Sequence, residues 1–185
     1  MLLFLFACND VEKHDHDHHH HDHEVMTTVV ATFSSDAGDT VYRWSDVEQD
    51  GEPEIDDIVL TNGSTYTLSL QFLNELEEPA EDITPEIVDE AEEHLVFFTG
   101  DAFDTLIQYT YGEPYDANGL ELGVEGTIDA LEAGTGDMTI TLQHMPEENG
   151  TAVKVDGLIE QVDSEGFGGV GGAPDISVTF PVTVE

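Results

Sequence analysis

Basic side chains are nearly absent from this chain, which has 3 Lys and Arg residues against 42 Asp and Glu in 185 positions. The formal charge of −39 would repel nucleic acids and anionic membrane surfaces, so neither is expected as a partner. The acidic residues are spread through every segment, which favours a hydrated surface suited to high external salt over a reservoir of carboxylate ligands. We therefore expect the melting temperature to fall in low salt, where these charges repel each other most.

Cysteine is equally scarce, because Cys8 is the only one, and an intramolecular disulfide is thereby excluded. The chain also has no serine nucleophile elbow and no His-Glu-x-x-His sequence. Carboxylate pairs occur throughout, so no single pair stands out for acid and base catalysis. These absences favour a binding protein over an enzyme.

An apolar run over residues 1–7 leads into Cys8, as at the end of a bacterial lipoprotein signal peptide. Cleavage would leave Cys8 as a lipidated first residue, and several acyl chains would then anchor the protein stably. The run is too short to span a bilayer and lacks a basic leading segment, which predicts a start codon further upstream. The alternative is a short apolar N-terminus with a buried free thiol.

Residues 9–24, directly behind Cys8, are predicted to form a disordered arm rich in histidine and aspartate. Seven of the nine histidines lie there, namely His14, His16, His18, His19, His20, His21 and His23. Neutral imidazole is a common ligand of zinc, copper and nickel, and the interleaved carboxylates add oxygen ligands. Because no spacing defines one geometry, the arm should hold several ions loosely. A purification tag is the other interpretation, which the alternation with Asp disfavours.

Residues 25–185 have the length of one domain, and their hydrophobic residues recur with a period of two. Apolar side chains alternate with polar ones over residues 25–33, 66–72, 120–130 and 176–184. In the last of these strands, Asp175, Ser177 and Thr179 are predicted to face solvent. Shorter strands are expected at 40–45, 55–60, 95–99, 103–111 and 137–144. About nine strands of this kind predict an all-β fold, an antiparallel sandwich of immunoglobulin-like architecture.

Two segments depart from this alternation. Residues 79–93 predict a short helix with Thr84 as N-cap and Pro85 in its first turn, the alternative being a disordered acidic loop. Residues 166–172 contain too many glycines for regular structure and are expected to form a flexible hairpin connection. A phosphate-binding loop is not expected there, because no Lys-Ser or Lys-Thr pair follows and no strand-to-helix context surrounds the segment.

His94 and His144 stand at the ends of two predicted strands, each on the apolar face of its strand. Both would therefore lie at a rim of the sandwich, and at the same rim they could share a metal ion with Glu92 or Glu93. Zinc requires three or four ligands at about 2 Å, which the sequence supplies without geometry. The alternative is that each histidine only forms hydrogen bonds at the boundary of the core.

The acidic segment 46–57 offers a calcium site. Acidic residues at loop positions one, three and five precede a glycine at position six, as in an EF-hand loop. The candidate ligands are Asp46, Glu48, Asp50, Glu54 and Asp57. Strands rather than helices are expected on either side, so an ordinary acidic loop is the alternative. Residues 116–119 contain an Asn-Gly pair and predict a tight turn.

Cys8, the histidine arm and the segments 72–75, 79–84, 92–98, 142–146 and 175–182 are together similar to a family of small Bacteroidetes-type outer-membrane lipoproteins. The resemblance covers essentially the whole chain. It implies a lipid-anchored protein of the outer membrane, facing the periplasm or the cell surface, that works beside a TonB-dependent receptor. Asp10 and Glu12 resemble signals for surface export. Some family members are described as a type 1 periplasmic binding fold, an α/β architecture that the period-two pattern does not support.

The leading hypothesis is a lipid-anchored extracytoplasmic protein that captures zinc, or a similar transition metal, and passes it to an uptake receptor. The membrane would be contacted through the lipid anchor only. The alternative is a surface adhesion or spacer module, whose sandwich binds protein or glycan while the arm acts as a tether. Deletion of residues 13–24 separates the two hypotheses, because only the first predicts that metal capacity falls.

Overall fold

The alternating segments form two packed β-sheets in the computed structural model, which describes residues 25–185. The strands, in chain order, are β1 (Thr28–Ser35), β2 (Gly38–Ser45), β3 (Glu54–Ile55), β4 (Ile58–Leu60), β5 (Thr65–Asn74), β6 (Glu81–Asp82), β7 (His94–Thr99), β8 (Ile107–Tyr111), β9 (Glu125–Ala130), β10 (Gly134–His144) and β11 (Ala173–Val184). The helices are α1 (Thr84–Asp89), α2 (Ala102–Thr105) and α3 (Leu158–Glu165).

The larger sheet has the strand order β3-β2-β1-β5-β9-β8, with β6 paired to β5. The smaller sheet has the order β4-β11-β10-β7. Neighbouring strands are antiparallel except β4, which runs parallel to β11. The predicted all-β antiparallel sandwich is therefore confirmed. The structure has eleven strands rather than about nine, because the predicted strand 55–60 is divided into β3 and β4 and the two-residue strand β6 is too short to show a periodicity.

The core lies between the sheets and consists of the inward-facing residue of each alternating pair. Fully buried side chains from the larger sheet include Phe33, Leu68 and Phe72, and those from the smaller sheet include Ile140 and Phe180. Removing one of these aromatic side chains should cost about 3–5 kcal/mol of stability, since both lost burial and a cavity contribute. His94 and His144 lie at the paired ends of β7 and β10, next to this apolar layer.

A second, smaller apolar cluster lies on the outer face of β7. Helix α3 packs Leu158 and Val162 against Leu95 and Phe97 of that strand. Strand β7 is consequently covered on both faces, and every residue from His94 to Phe98 is buried. No helix in the described part of the chain is long and apolar enough to cross a membrane.

The predicted helix over residues 79–93 is present as α1, although it is only six residues long. The prediction that Thr84 is its N-cap is wrong, because Ile83 occupies that position and forms no side-chain cap. The Thr84 hydroxyl instead accepts a hydrogen bond of 2.9 Å from the Phe72 amide of β5. Thr84 thus ties the helix to the sheet rather than capping the helix itself.

The predicted strand over residues 120–130 is wrong in its first half, since β9 begins only at Glu125. The backbone turns at Gly123, where φ is +91° and a side chain would collide with the Tyr111 ring and the Val96 backbone. Before this turn, the Leu122 carbonyl accepts a hydrogen bond of 2.8 Å from the Val96 amide. Alternation continues across the turn, because Leu122 and Val124 are buried on either side of it.

Three further segments differ from the prediction. The predicted strand 103–111 begins with helix α2 and becomes β8 only at Ile107. The predicted strand 55–60 is divided, because β3 joins the larger sheet and β4 joins the smaller one. The segment 166–172 is irregular as predicted, but it links α3 to β11 and is not a hairpin connection. The Asn-Gly turn at 116–119 is confirmed, with Gly119 at φ +82°.

Candidate metal centre

The two histidines of residues 25–185, His94 and His144, face each other across neighbouring strands. In the antiparallel register of β7 and β10, His94 is directly opposite His144. Their imidazole rings are stacked, with centroids 4.7 Å apart and planes inclined by 11°. Both lie at the rim of the sandwich, at the ends of their strands. This is the position that the alternation of apolar residues predicted. The structure therefore brings together two residues that are separated by 50 positions in the sequence.

His94 is fixed by the turn that follows α1. Its Nδ1 atom lies 3.1 Å from the Glu90 carbonyl oxygen, and the residue is 3% exposed. Burial acts to lower the pKa of His94, but the Asp175 carboxylate and the Glu90 carbonyl outweigh burial and raise the pKa above its usual value. The surroundings of His94 thus favour the protonated form of its ring.

Asp175 reaches both histidines from β11. Its Oδ2 atom is 3.6 Å from Nε2 of His94, and its Oδ1 atom is 3.9 Å from Nδ1 of His144. The Asp175 side chain is 4% exposed, so the prediction that it faces solvent is wrong. The cause is a β-bulge, because Leu142 pairs with Ile176 whereas Gln143 pairs with Pro174, which leaves Asp175 without an opposite residue. A bulge reverses the alternation locally and re-aims the side chain inward.

The glycine-rich segment makes this bulge possible. Gly172 has φ of +74°, and a Cβ atom there would collide with the carbonyl oxygen of His144. The Gly171 carbonyl accepts a hydrogen bond of 2.9 Å from the Gln143 side chain. The chain therefore approaches β10 closely just before Asp175, in a conformation that residues with a Cβ rarely adopt.

Two glutamates of the turn between α1 and β7 complete the cluster. Glu93 Oε2 lies 3.5 Å from Nε2 of His144, and it is a buried atom without a hydrogen bond in the described part of the chain. The Glu93 carbonyl accepts a hydrogen bond of 2.6 Å from the Met145 amide, which holds the turn against the end of β10. Glu90, His94 and His144 each place one possible ligand atom within 4.8 Å of the others.

This arrangement offers two imidazoles and a carboxylate to one ion, with Glu93 and Asp175 around them. A tetrahedral zinc ion with bonds of about 2 Å holds its ligand atoms about 3.3 Å apart. The cluster is somewhat wider than that, so binding would draw the side chains together. His144 is the less buried of the two histidines, since its side chain is 13% exposed and that of His94 is 4% exposed. Buried carboxylates beside ligand histidines orient the rings and favour the cation.

The other predicted sites fare differently. Cys8 and the seven arm histidines lie outside the described residues. Within the range 25–185, Glu90, His94 and His144 are the only group of three that meets the distance criterion for a metal. The carboxylates predicted for calcium in the segment 46–57 do not meet it, and the calcium site stays a prediction. Asp46 instead accepts hydrogen bonds from the amides of Asp50 and Gly51.

Sequence reasoning missed a buried ion pair close to the cluster. The Lys154 ammonium lies 3.4 Å from Oδ2 of Asp116, and both side chains are 1% exposed. Lys154 also donates a hydrogen bond of 2.7 Å to the Ala91 carbonyl, within the turn that carries Glu90 and Glu93. Burial lowers the pKa of Lys154, while Asp116 acts in the opposite direction. The one sequence feature that pointed to this ion pair was the scarcity of basic residues. Lys154 is the only lysine in residues 25–185, and it has many carboxylates to choose from as partners.

No protein-family model matches this chain, and no curated protein is significantly similar to it.

Proposed function

We propose that the protein binds a transition metal, zinc or a similar ion, through Glu90, His94 and His144. The observation that carries this proposal is the pairing of His94 with His144 across β7 and β10, within reach of the Glu90 carboxylate. Imidazole nitrogen and carboxylate oxygen form the donor set that zinc commonly takes in proteins. Binding rather than catalysis is the proposed role.

The buried charges around the histidines support a cationic guest. Glu93 contributes a buried oxygen without a hydrogen bond in the described range, and Asp175 is almost fully covered. A desolvated carboxylate is costly unless a cation or donor compensates it. An ion held by the two imidazoles would add to the compensation that these carboxylates receive from the histidines.

The proposal extends to the N-terminal segment on sequence grounds. The histidine arm would collect ions loosely, and the rim cluster would hold one ion more tightly. Lipidation at Cys8 would place the protein at the outer membrane, facing the periplasm or the cell surface, where it could pass metal to a TonB-dependent receptor. These steps rest on the leader, the arm and the family resemblance.

The test is a zinc titration by calorimetry on the full chain and three variants. The first variant is His94→Ala with His144→Ala, the second replaces the seven arm histidines by Ala, and the third is Asp46→Asn with Asp50→Asn. We expect one tight event in the full chain, weakened at least about a hundredfold by the first variant only. The second variant should lose the weak, multiple events. The third is the matched control for removing carboxylates outside the rim.

Acidification gives a second readout for the same site. Imidazole must be neutral to bind metal, so tight binding should weaken between about pH 7.5 and about pH 5.5. Two outcomes would contradict ligation by His94 and His144. One is tight binding that persists in the His94→Ala, His144→Ala variant, and the other is tight binding that does not change with pH. If no variant and no pH shows tight binding, the adhesion or spacer hypothesis becomes the better account.

A further inference from the structure

A cleft of about 490 Å³ lies at the open edge of the sandwich, away from the histidines. It is bordered by the edge strands of the two sheets, β7 and β8, and by helices α2 and α3. Four aromatic side chains line it, namely Phe98, Phe103, Tyr109 and Tyr111. Phe98 and His94 stand at opposite ends of β7, roughly 13 Å apart along the strand. The cleft is therefore separate from the candidate metal centre.

The aromatic wall is held in place before any ligand arrives. The Tyr109 hydroxyl donates a hydrogen bond of 3.1 Å to the Gly123 carbonyl, and the Tyr111 hydroxyl donates one of 2.9 Å to the Val96 carbonyl. The Tyr109 ring also packs on Phe98, with centroids 3.8 Å apart. Burial raises the pKa of both tyrosines well above the usual value, so they remain neutral phenols. A ligand would thus meet rings of fixed position and no phenolate.

Every charged side chain that lines the cleft is acidic. Asp104 of α2 and Asp163 of α3 stand at its border. Both residues are exposed, and the partial burial of the Asp163 carboxyl, followed by the neighbouring Glu160, raises its pKa. The basic residues of the described range are engaged elsewhere, since Arg43 pairs with Glu75 and Lys154 pairs with Asp116. The cleft therefore has aromatic walls and two carboxylates that no basic side chain of residues 25–185 pairs with.

We propose that this cleft binds a small organic cation, an amine or a quaternary ammonium with apolar substituents. Aromatic rings attract such a cation through their negative faces, and apolar substituents remove water from the rings. The two carboxylates supply the charge complement. An anionic ligand would be repelled, and a neutral apolar ligand would cover the carboxylates without compensating them. The organic cation is the one class that suits both the walls and the border.

The probe is choline, compared with its uncharged isostere 3,3-dimethylbutan-1-ol. Binding is followed on the full chain by calorimetry and by NMR shifts of the backbone amides, in about 0.5 M salt to screen general attraction to the acidic surface. We expect choline to shift amides of β8 and α3, and the isostere to bind at least about tenfold more weakly.

Four variants complete the experiment. Asp163→Asn should weaken choline binding about fivefold or more, and Phe103→Leu should weaken it by removing a ring while keeping an apolar side chain. Asp156→Asn is the matched control, because Asp156 is exposed near the start of α3 and does not line the cleft. His94→Ala with His144→Ala should leave choline binding unchanged, which separates this proposal from the metal site. Circular dichroism confirms that each variant is folded.

Three outcomes would overturn the proposal. The first is equal binding of choline and the uncharged isostere, which would indicate an apolar cleft without charge selection. The second is an Asp156→Asn effect as large as that of Asp163→Asn, which would indicate attraction to the whole surface. The third is the absence of amide shifts around the cleft at saturating choline in the unmodified chain.

Discussion

The carboxylates of the loop between β2 and β3 lie largely in solvent, whereas those around His94 and His144 are held at a covered rim. In the loop, Asp46 and Asp50 accept hydrogen bonds from nearby backbone amides. At the rim, Asp175 is buried by a bulge and Glu93 keeps a buried oxygen without a hydrogen bond in the described range. Both regions are acidic, but only at the rim does the fold cover carboxylate oxygens and place them against imidazole rings.

The difference shows why counting acidic residues does not locate a cation site in this protein. A hydrated carboxylate that also bonds to amides gains little from an ion, because water and the backbone already satisfy it. A desolvated carboxylate has lost its water during folding and gains more from a nearby positive charge. In a chain with a formal charge of −39, the burial of a carboxylate therefore indicates a cation site better than its charge does.

The largest loss of stability should come from replacing Lys154, the buried cation that contacts the turn carrying Glu90 and Glu93. Lys154→Met leaves the Asp116 charge buried without its partner, so we expect the free energy of unfolding to fall by about 3–5 kcal/mol. Arg43→Met is the matched control on the more exposed pair with Glu75, and it should cost at most about 1 kcal/mol. Urea denaturation at constant salt measures both. Equal losses would show that burial does not distinguish the two pairs.

Asp175→Asn tests whether the bulge carboxylate supports the metal. The amide keeps the size of the side chain but removes its charge beside both histidines, so zinc affinity should fall about tenfold to a hundredfold. Asp137→Asn, at an exposed position of β10, should leave zinc affinity unchanged. Calorimetric titration supplies the affinities. Retention of full affinity in Asp175→Asn would remove this residue from the proposed centre.

Asp46→Ala tests the solvent-exposed loop between β2 and β3. Because the Asp46 carboxylate accepts hydrogen bonds from two backbone amides, we expect a loss of about 1 kcal/mol in the free energy of unfolding. Zinc binding at the rim should not change. If added calcium raises the melting temperature of the full chain but not that of this variant, the loop is an ion site after all and the comparison fails.

The smallest effect concerns acid stability at Glu75. The hydrogen bond from the Thr28 hydroxyl, together with Arg43, lowers the pKa of this carboxyl below its value in the unfolded chain. Its contribution to stability is therefore present above about pH 4.5 and disappears as the pH falls through the lower, folded-state pKa. Glu75→Gln should lower the melting temperature slightly at neutral pH, and the two melting curves should converge in acid. Parallel curves at every pH would contradict this linkage.

Much of the architecture could be predicted from the alternation of apolar and polar residues. The positions of His94 and His144 at the rim also followed from alternation, because each continues the apolar face of its strand. The direct pairing of the two rings did not follow, since register depends on which strands are neighbours. Strands β7 and β10 are far apart in the sequence, and no local pattern states that they pair.

The misses share a physical cause. Asp175 was assigned to the solvated face because alternation assumes an unbroken ladder, and a single extra residue in β11 reverses it. Helix α3 was not predicted, because it has only eight residues and its stability comes from packing on Leu95 and Phe97. Gly123 interrupts the predicted strand 120–130 through its close contact with Tyr111 and Val96. Each feature depends on a partner that is remote in the sequence.

The sequence by itself determined the two-sided strands, the scarcity of cations and the histidines at strand ends, because side chains alternate across any extended backbone. Tertiary structure alone decided that His94 stacks on His144, that Asp175 turns inward, and that Lys154 is buried beneath the same turn. Those outcomes depend on register, on a bulge and on the desolvation of charges. All three arise only when distant segments pack, and a linear pattern contains no information about which charges will lose their water.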